Sequence, residues 1–335
     1  MGTRVAINGF GRIGRHFLRA AIARDSALDV VAVNDPMSAV VLAHLLEYDT
    51  THDRTQDRHR VELAGDALAV GRRSVAVLSS PSPVSLPWAR LGVDVVVECS
   101  GRFAADGRAG GHLVAGAKTV VVSAPAAAAD VTICVGVNEH LLDRDRHRVV
   151  AGASGTTHCV AVMASVLHAR FGIVTGWMTT VHAFTSDLGP GDPPHDPRRD
   201  RAAVHDIVPC PAVAGGDIGE VVPDLAGRLR GVAVRVPVPA GSLTDVTCVV
   251  ARPATVELVN DAIQEAAAGP LCGVLGYTGA PIVSSDVRGD PRSCVVSGVD
   301  TVVHDDQVRT FGWYDNEWGH ANRLLDLVEL IAGVR

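Results

Sequence analysis

The sequence predicts an α/β protein, a doubly wound parallel sheet joined to an α+β domain with a mixed or antiparallel sheet. Three observations carry this. The first half alternates short β-branched runs with helix-like stretches. Near-continuous Val/Ile runs mark strands buried on both faces, and strands alternating with helices build parallel sheets. After residue 155 the segments lengthen and their apolar residues alternate, as in a sheet with one covered face. A chain of 335 residues with 47% hydrophobic residues is long and apolar enough for two cores.

The predicted strands of the first half are "RVAIN", "LDVVAVND", "VDVVVECS", "KTVVVSAP", "VTICVGV" and "RVVAGAS". Between the first two, "RIGRHFLRAAIARD" has apolar residues at helical spacing, which completes a βαβ unit. In the second half "TTHCVAVMASVLHARFG" reads as a helix. The strands that follow are "GWMTTVHAFTS", "GVAVRVPVP", "LTDVTCVVARP", "APIVSSDV", "SCVVSGVD" and "TVVHDDQVRTFGWYD". "SDLGPGDPPHDPRRDRAA" is the least regular stretch, and long loops in compact domains are often functional. The final "NRLLDLVELIAGV" reads as an amphipathic helix.

A net charge of −7 argues against nucleic-acid or anionic-membrane partners. No apolar run reaches the ~20 residues that span a bilayer. The N-terminus lacks the basic and apolar regions of a signal peptide. The 7 Cys are scattered without zinc spacing. They read as reduced thiols of a cytoplasmic protein.

"NGFGRIG" places Gly9, Phe10, Gly11, Arg12, Ile13 and Gly14 between the first strand and the first helix. Such glycines let backbone approach a pyrophosphate, and the helix N-terminus faces its charge. Asn34 and Asp35 end the second strand. An acid about 20 residues beyond the glycines suits the ribose hydroxyls of NAD and repels the 2′-phosphate of NADP. The first domain is therefore expected to be a Rossmann domain with NAD as cofactor.

"AINGFGRIGR", "VNDP", "LLEYDTTH", "VVECSGRF", "AGAKTVVVSAP", "TTVHAFT", "VVPDLAGRLRGVAVRVPVP", "GPLCGVLGYT" and "WYDNEWGHANR" occur in one order. With these blocks the chain closely resembles the glyceraldehyde-3-phosphate dehydrogenase family over essentially its whole length. The resemblance implies an NAD-binding domain over 1–154 and 316–335, a catalytic domain over 155–315, and a homotetramer. It implies that Ser100, Gly101, Arg102 and Phe103 form the adenosine-side turn. Ser123 then lies near the nicotinamide, and Asn316 contacts its amide.

In that family the active-site segment reads SCTTNC, and its first Cys attacks the aldehyde. Inorganic phosphate then cleaves the thioester. This chain reads "SGTTHC": Gly155 stands at the nucleophile's position and His158 replaces an Asn. A glycine has no side chain, so covalent catalysis there is impossible. Cys159, one helical turn on, reads as a core residue. Cys210 stands in the family's anion-binding loop and is open as a rescue nucleophile.

The resemblance makes His182 the general base, and Thr185, Asp187 and Arg235 the holders of a substrate phosphate. Ser154 and Thr156 remain at the inorganic-phosphate site, while Ala212 and Val213 replace its Thr-Gly pair. His320 replaces a Tyr near the nicotinamide. His158, His205 and His320 are open as acid–base groups or as ordinary histidines. Arg198, Arg199 and Arg201 resemble loop arginines of the family.

Losing the nucleophile and the phosphate pocket together removes the thioester half and keeps the hydride half. The leading expectation is an NAD-dependent oxidoreductase, or an NAD-retaining epimerase or lyase, without thioester chemistry. Its substrate would be a small anionic hydroxy or aldehyde compound bearing phosphate or carboxylate, in specialised metabolism. Three alternatives stay open: a non-redox dehydratase, cyclase or isomerase; an NAD-binding pseudoenzyme; and an engineered Cys-to-Gly variant of the glycolytic enzyme. No metal is expected.

Overall fold

The structure is a computed structural model that describes residues 2–52, 60–185, 205–211 and 214–334. Contacts divide the chain into two units. The first comprises Met1–Ile133, His140–Ala153 and Ala321–Arg335; the second comprises Cys134–Glu139 and Ser154–His320.

The first unit holds strands β1 (Arg4–Asn8), β2 (Asp29–Asn34), β3 (Val61–Ala64), β4 (Ala67–Val70), β5 (Arg73–Leu78), β6 (Val95–Glu98), β7 (Thr119–Val122), β8 (Val131–Thr132) and β9 (Val149–Ala151). Their order in the sheet is β3-β4-β5-β2-β1-β6-β7-β9-β8. Pairs from β5 through β2, β1, β6, β7 and β9 to β8 are parallel; β3–β4 and β4–β5 are antiparallel. β1 neighbours both β2 and β6, so the winding reverses at β1/β6. Ligands of doubly wound sheets bind at such a switch point. Helices α1 (Arg12–Ala23), α2 (Ala39–Glu47), α3 (Trp88–Leu91) and α4 (Gly111–Val114) connect these strands. The valines of β6 and β7 are almost fully buried, the pattern their continuous apolar runs predict.

The second unit holds α5 (Gly155–Phe171), β10 (Ile173–Ala183), β11 (Val208–Pro211), α6 (Ala214–Val221), β12 (Leu229–Val236), β13 (Ser242–Val250), α7 (Val256–Ala268), β14 (Leu275–Thr278), β15 (Cys294–His304) and β16 (Gln307–Tyr314). The order β11-β12-β10-β13-β16-β15-β14 makes one mixed sheet. β10–β12 and β14–β15 are parallel, and the other pairs are antiparallel. α5 packs into the core of this unit with Val160, Met163, Leu167 and Phe171 against Met178, Val246 and Val296. The last helix, α8, runs over Trp318–Ala332.

Three sequence expectations differ from this structure. "APIVSSDV" forms no strand; Ser284–Val287 is a short 3-10 turn. The Asp286 carboxylate ties that turn by accepting from Val283 N at 2.7 Å. "VTICVGV" gives only two strand residues. Beyond them Asn138 Oδ1 takes the Cys134 N–H at 2.7 Å and Gly136 turns at φ 91°. "TVVHDDQVRTFGWYD" is the end of β15, a turn at Asp305 with φ 52°, and β16. The short antiparallel meander β3–β5 and helices α2 and α7 gave no pattern that the reading singled out.

Candidate functional site

In the first unit the glycine turn is set by sterics. Gly9 has φ 89°, and a Cβ on it would lie 2.4 Å from Ser100 N. A Cβ on Gly14 would meet Gly9 O at 2.3 Å, whereas one on Gly11 would meet nothing within 4 Å. Two glycines thus permit close backbone packing, and the third leaves open space at the start of α1. Phe10 is fully buried, so it offers backbone and no side chain. Arg12 and Ile13 begin α1.

Asp35 accepts from Phe10 N at 2.8 Å and from Met37 N at 3.0 Å. Each carboxylate oxygen keeps a further lone pair for a ribose hydroxyl. Asn34 is committed elsewhere: its amide donates to Asn8 Oδ1 at 2.7 Å and Ser80 O at 3.0 Å, and accepts from Ser80 N at 2.8 Å.

Ser100 donates through N and Oγ to Glu98, and Arg102 N donates to Ser100 Oγ at 3.2 Å. Gly101 takes φ 71°. Ser123 N donates to Glu98 O at 3.0 Å. Neighbouring Cys99 is pushed up to about 12 by burial, partly offset by a hydrogen bond with Ser123. This thiol is inert near neutrality.

In the second unit the active-site segment opens α5. Ser154 is the N-cap, its Oγ accepting from Thr157 N at 3.0 Å. Gly155 follows as the first helical residue. Ala153, just before the cap, has φ 51°, a left-handed conformation that strains any residue with a Cβ. A Cβ on Gly155 would lie 3.3 Å from Asn316 O and 3.7 Å from Tyr314 Cε2.

His182 and Arg235 are register partners on the adjacent parallel strands β10 and β12, so their side chains leave the same face of the sheet. His182 Nδ1 donates to Ala183 O at 2.7 Å. Its ring meets the Tyr314 ring edge to face at 6.1 Å. Tyr314 OH bonds Thr156 Oγ1 at 2.8 Å. Burial and the nearby Cys159 raise the Tyr314 hydroxyl, outweighing Thr156 and the Arg235 charge. Tyr314 therefore stays protonated. Buried Arg235 Nε and Nη1 have no hydrogen-bond partner among the described residues. Two buried guanidinium nitrogens in this state suit a ligand anion.

A second chain of bonds orients Asn316. Ala183 N donates to Ser242 Oγ at 3.1 Å, and Ser242 Oγ donates to Asn316 Oδ1 at 3.2 Å. The Asn316 Nδ2 is thereby the donor left to present. Thr185 closes the described part of this loop. Asp187, Arg198, Arg199, Arg201, Ala212 and Val213 lie outside the described residues.

The remaining cysteines and histidines are placed as follows. Cys159 is fully buried and its Sγ donates to Gly312 O at 3.6 Å; it is a core residue. Cys210 is half-buried on β11, with Sγ donating to Val208 O at 3.6 Å. His205 is exposed. His158 and His320 are buried and their rings lie 5.9 Å apart. Sequence reasoning missed Tyr314, although it stands in the quoted "WYDNEWG" block. It also missed Ser242, for which no local pattern gave a signal.

Residues 3–106 match the model of the glyceraldehyde 3-phosphate dehydrogenase NAD binding domain, and residues 154–316 that of its C-terminal domain. The chain belongs to the glyceraldehyde-3-phosphate dehydrogenase family. It is 49% identical over 332 residues to glyceraldehyde-3-phosphate dehydrogenase 2 of Streptomyces arenae, covering 99% of both chains. It is 50% identical over 331 residues to glyceraldehyde-3-phosphate dehydrogenase of Kitasatospora aureofaciens, covering 98% of this chain and 99% of that one. Against the Mycolicibacterium smegmatis enzyme the identity is 48% over 340 residues, with 99% of both covered.

NAD is the cofactor of this family, and the first unit fits it. The Gly9–Gly14 cradle would hold the pyrophosphate, and Asp35 the adenosine ribose. Among the described residues no helix is long and apolar enough to cross a membrane.

Proposed function

We propose that this chain is an NAD-dependent oxidoreductase that performs the hydride half of its family's chemistry without a thioester. Its substrate is a small hydroxylated or aldehydic compound carrying phosphate or carboxylate. One observation carries the reading. The helix N-terminus that would present a thiol presents Gly155, while His182 and Arg235 are held side by side on one sheet face.

Each residue has a part. Arg235, with Thr185 and Asp187, binds the anionic group of the substrate. Ser154, Thr156 and His158 line the pocket at the start of α5. His182 is pinned through Nδ1–H to Ala183 O, so Nε2 is the nitrogen that takes a proton from a substrate hydroxyl. Protonated Tyr314, bonded to Thr156, holds the face of this ring. Asn316, oriented by Ser242, presents Nδ2 to the carboxamide of the nicotinamide. Bound NAD supplies the hydride acceptor. An alcohol gives a carbonyl compound by this route, and a hydrated aldehyde gives an acid directly. By family resemblance we propose a homotetramer working in the cytoplasm.

The test is NADH formation with and without inorganic phosphate, using glyceraldehyde 3-phosphate and its alcohol analogues, with products identified by mass spectrometry. Phosphate-independent NADH formation with a free acid or ketone as product is expected. Phosphate-dependent acyl phosphate formation at rates typical of the family would refute the reading.

A further inference from the structure

The strands that meet at the winding reversal of the first unit end in polar side chains. Asn8 is the last residue of β1, Asn34 of β2 and Glu98 of β6. Their relative exposures are 2%, 4% and 2%. Each stands one or two residues before a group expected to meet the cofactor: Gly9, Asp35 and the Ser100–Gly101 turn. The side chains of Trp88 on α3 and His112 on α4, both fully buried, join them. Buried polar groups are costly unless each finds a partner.

Here each does, and the direction of every bond is read from the two ends. Trp88 Nε1 only donates, and it donates to His112 Nδ1 at 3.0 Å. Nδ1 therefore carries no hydrogen, and the ring hydrogen is on Nε2. That nitrogen lies 3.0 Å from Glu98 Oε2 and donates to it. At the other end Ser80 N donates to Asn34 Oδ1 at 2.8 Å, which fixes the Asn34 amide. Asn34 Nδ2 donates to Asn8 Oδ1 at 2.7 Å, and Asn8 Nδ2 donates to Glu98 Oε2. Both arms thus end as donors on one carboxylate oxygen. The other oxygen accepts from Ser100 N at 2.7 Å and from Ser100 Oγ. Among side chains a carboxylate alone accepts from four donors and offers no hydrogen.

We propose that Glu98 and His112 are positioning residues for NAD: the buried chain Trp88–His112–Glu98–Asn8–Asn34 fixes the strand ends so that the Gly9 and Ser100 turns meet the adenosine diphosphate half of the cofactor already formed. The two turns pack on each other. A Cβ on Gly9 would lie 2.4 Å from Ser100 N, the same N–H that Glu98 holds. Moving the Glu98 carboxylate therefore moves the wall against which the pyrophosphate turn rests. Gly9 N donates to Asn34 O at 2.8 Å and Cys99 N to Asn8 O at 2.7 Å, so backbone bonds run beside the side-chain ones. A fully satisfied polar network rigidifies one arrangement, and less ordering is then left to the moment of binding. All these residues lie in the first unit, so the role holds whichever chemistry the second unit performs.

The test reads NAD and ADP-ribose binding by calorimetry, using the whole protein with Glu98→Gln, Trp88→Phe and the double variant. Glu98→Gln keeps the shape of the side chain and one acceptor oxygen. If its amide nitrogen faces His112 and Asn8, their N–H groups meet hydrogens; if it faces Ser100, that turn loses its acceptor. Trp88→Phe removes the donor that fixes the His112 hydrogen on Nε2. In the double variant the ring can place its hydrogen on Nδ1 and accept from the Gln amide at Nε2. The packing lost with the indole is common to both backgrounds and cancels in the cycle. Leu68→Ala is the control: Leu68 is fully buried on β4, which β5 and β2 separate from β1.

Glu98→Gln should weaken NAD and ADP-ribose alike by ~10-fold, the scale of one hydrogen bond to a charged group. Trp88→Phe should weaken both by about threefold in the wild-type background and strengthen both by about threefold in the Glu98→Gln background. Leu68→Ala should lower Tm and leave both affinities within about twofold. A Trp88→Phe effect of one sign and size in both backgrounds would overturn the proposal. So would a Leu68→Ala loss equal to that of Glu98→Gln, or a wild-type protein that takes up neither ligand. Nitrogen-15 spectra of the wild-type protein without cofactor read the chain directly, whether or not the variants fold. They should show His112 with its hydrogen on Nε2, and a hydrogen on Nδ1 would overturn the proposal.

Discussion

Gly155→Cys asks whether the lost nucleophile is the only thing missing. The added Cβ meets Asn316 O at 3.3 Å, so that carbonyl must give by a few tenths of an ångström. A small overpacking of this kind costs about 1 kcal/mol, and the gain of Cys over Gly within a helix returns ~0.3 kcal/mol. The variant should therefore fold, with a Tm lowered by about 1 °C. The new thiol would sit at the first position of α5, where the helix N-terminus favours the thiolate. Cys99 and Cys248 are pushed up to about 12 by burial. The exposed Cys272 is the competitor for the reagent, so alkylation by iodoacetamide at mildly acidic pH, mapped by mass spectrometry, should fall on position 155 ahead of Cys272. Turnover should be only partly restored. A burst of NADH should precede slow acyl release if, as the resemblance implies, Ala212 and Val213 stand in place of the hydroxyl-bearing anion loop of the family. Full phosphate-dependent turnover would refute the claim that both halves of the thioester site are gone. A position 155 that resists alkylation would refute its placement in the pocket.

Arg235→Met should weaken binding of phosphate-bearing ligands by about 100-fold, because two charge-assisted bonds of roughly 1.5 kcal/mol each disappear; calorimetry with glyceraldehyde 3-phosphate checks this, and a loss under threefold sinks it. NAD should bind the wild-type protein more tightly than NADP in calorimetry, and Asp35→Asn should narrow the preference about tenfold; a wild-type preference for NADP refutes the role of Asp35. Burial alone would raise the Asp49 carboxyl, but the His16 ring, the His52 backbone N–H, Arg19 and Thr51 together hold it well below its ordinary value. A carboxylate held low when folded adds stability above the unfolded pKa, about 4, and loses it as pH falls. Asp49→Asn should therefore lower Tm near neutrality and flatten its decline below pH about 4, as scanning calorimetry would show.

What could be read from the sequence was local or matched a whole block. The β1–glycine–α1 turn was legible because Gly9 and Gly14 answer to clashes within a few residues of chain or at the next strand end. Gly155 was legible because it interrupts a matched segment. Asn34 looked like a cofactor contact, yet its amide is committed to Asn8 and Ser80. Nothing local tells which partner an amide will find 46 residues away. Tyr314 and Ser242 matter through β13–β16 and β10–β13 pairing, where register places them opposite one another and beside His182. The β3–β5 meander escaped because four-residue strands with exposed faces carry too few alternations to stand out.

The pattern of loss and retention argues for a working pocket. The left-handed Ala153 costs on the order of 1 kcal/mol of strain. The desolvated Arg235 nitrogens, with no partner among the described residues, cost more. A scaffold kept for its fold alone gains nothing from either cost. Ala153 comes two residues before Gly155 in the chain, and Arg235 pairs in register with His182. His182 remains fixed in the tautomer that accepts a proton at Nε2. Strain before a helix cap, a guanidinium with two nitrogens unpartnered among the described residues and an oriented base are together the features expected of a site that receives an anion and moves a proton. On the proposed reading, Gly155 removes the thioester step, while His182 and Arg235, register partners on one sheet face, still set where the substrate would sit.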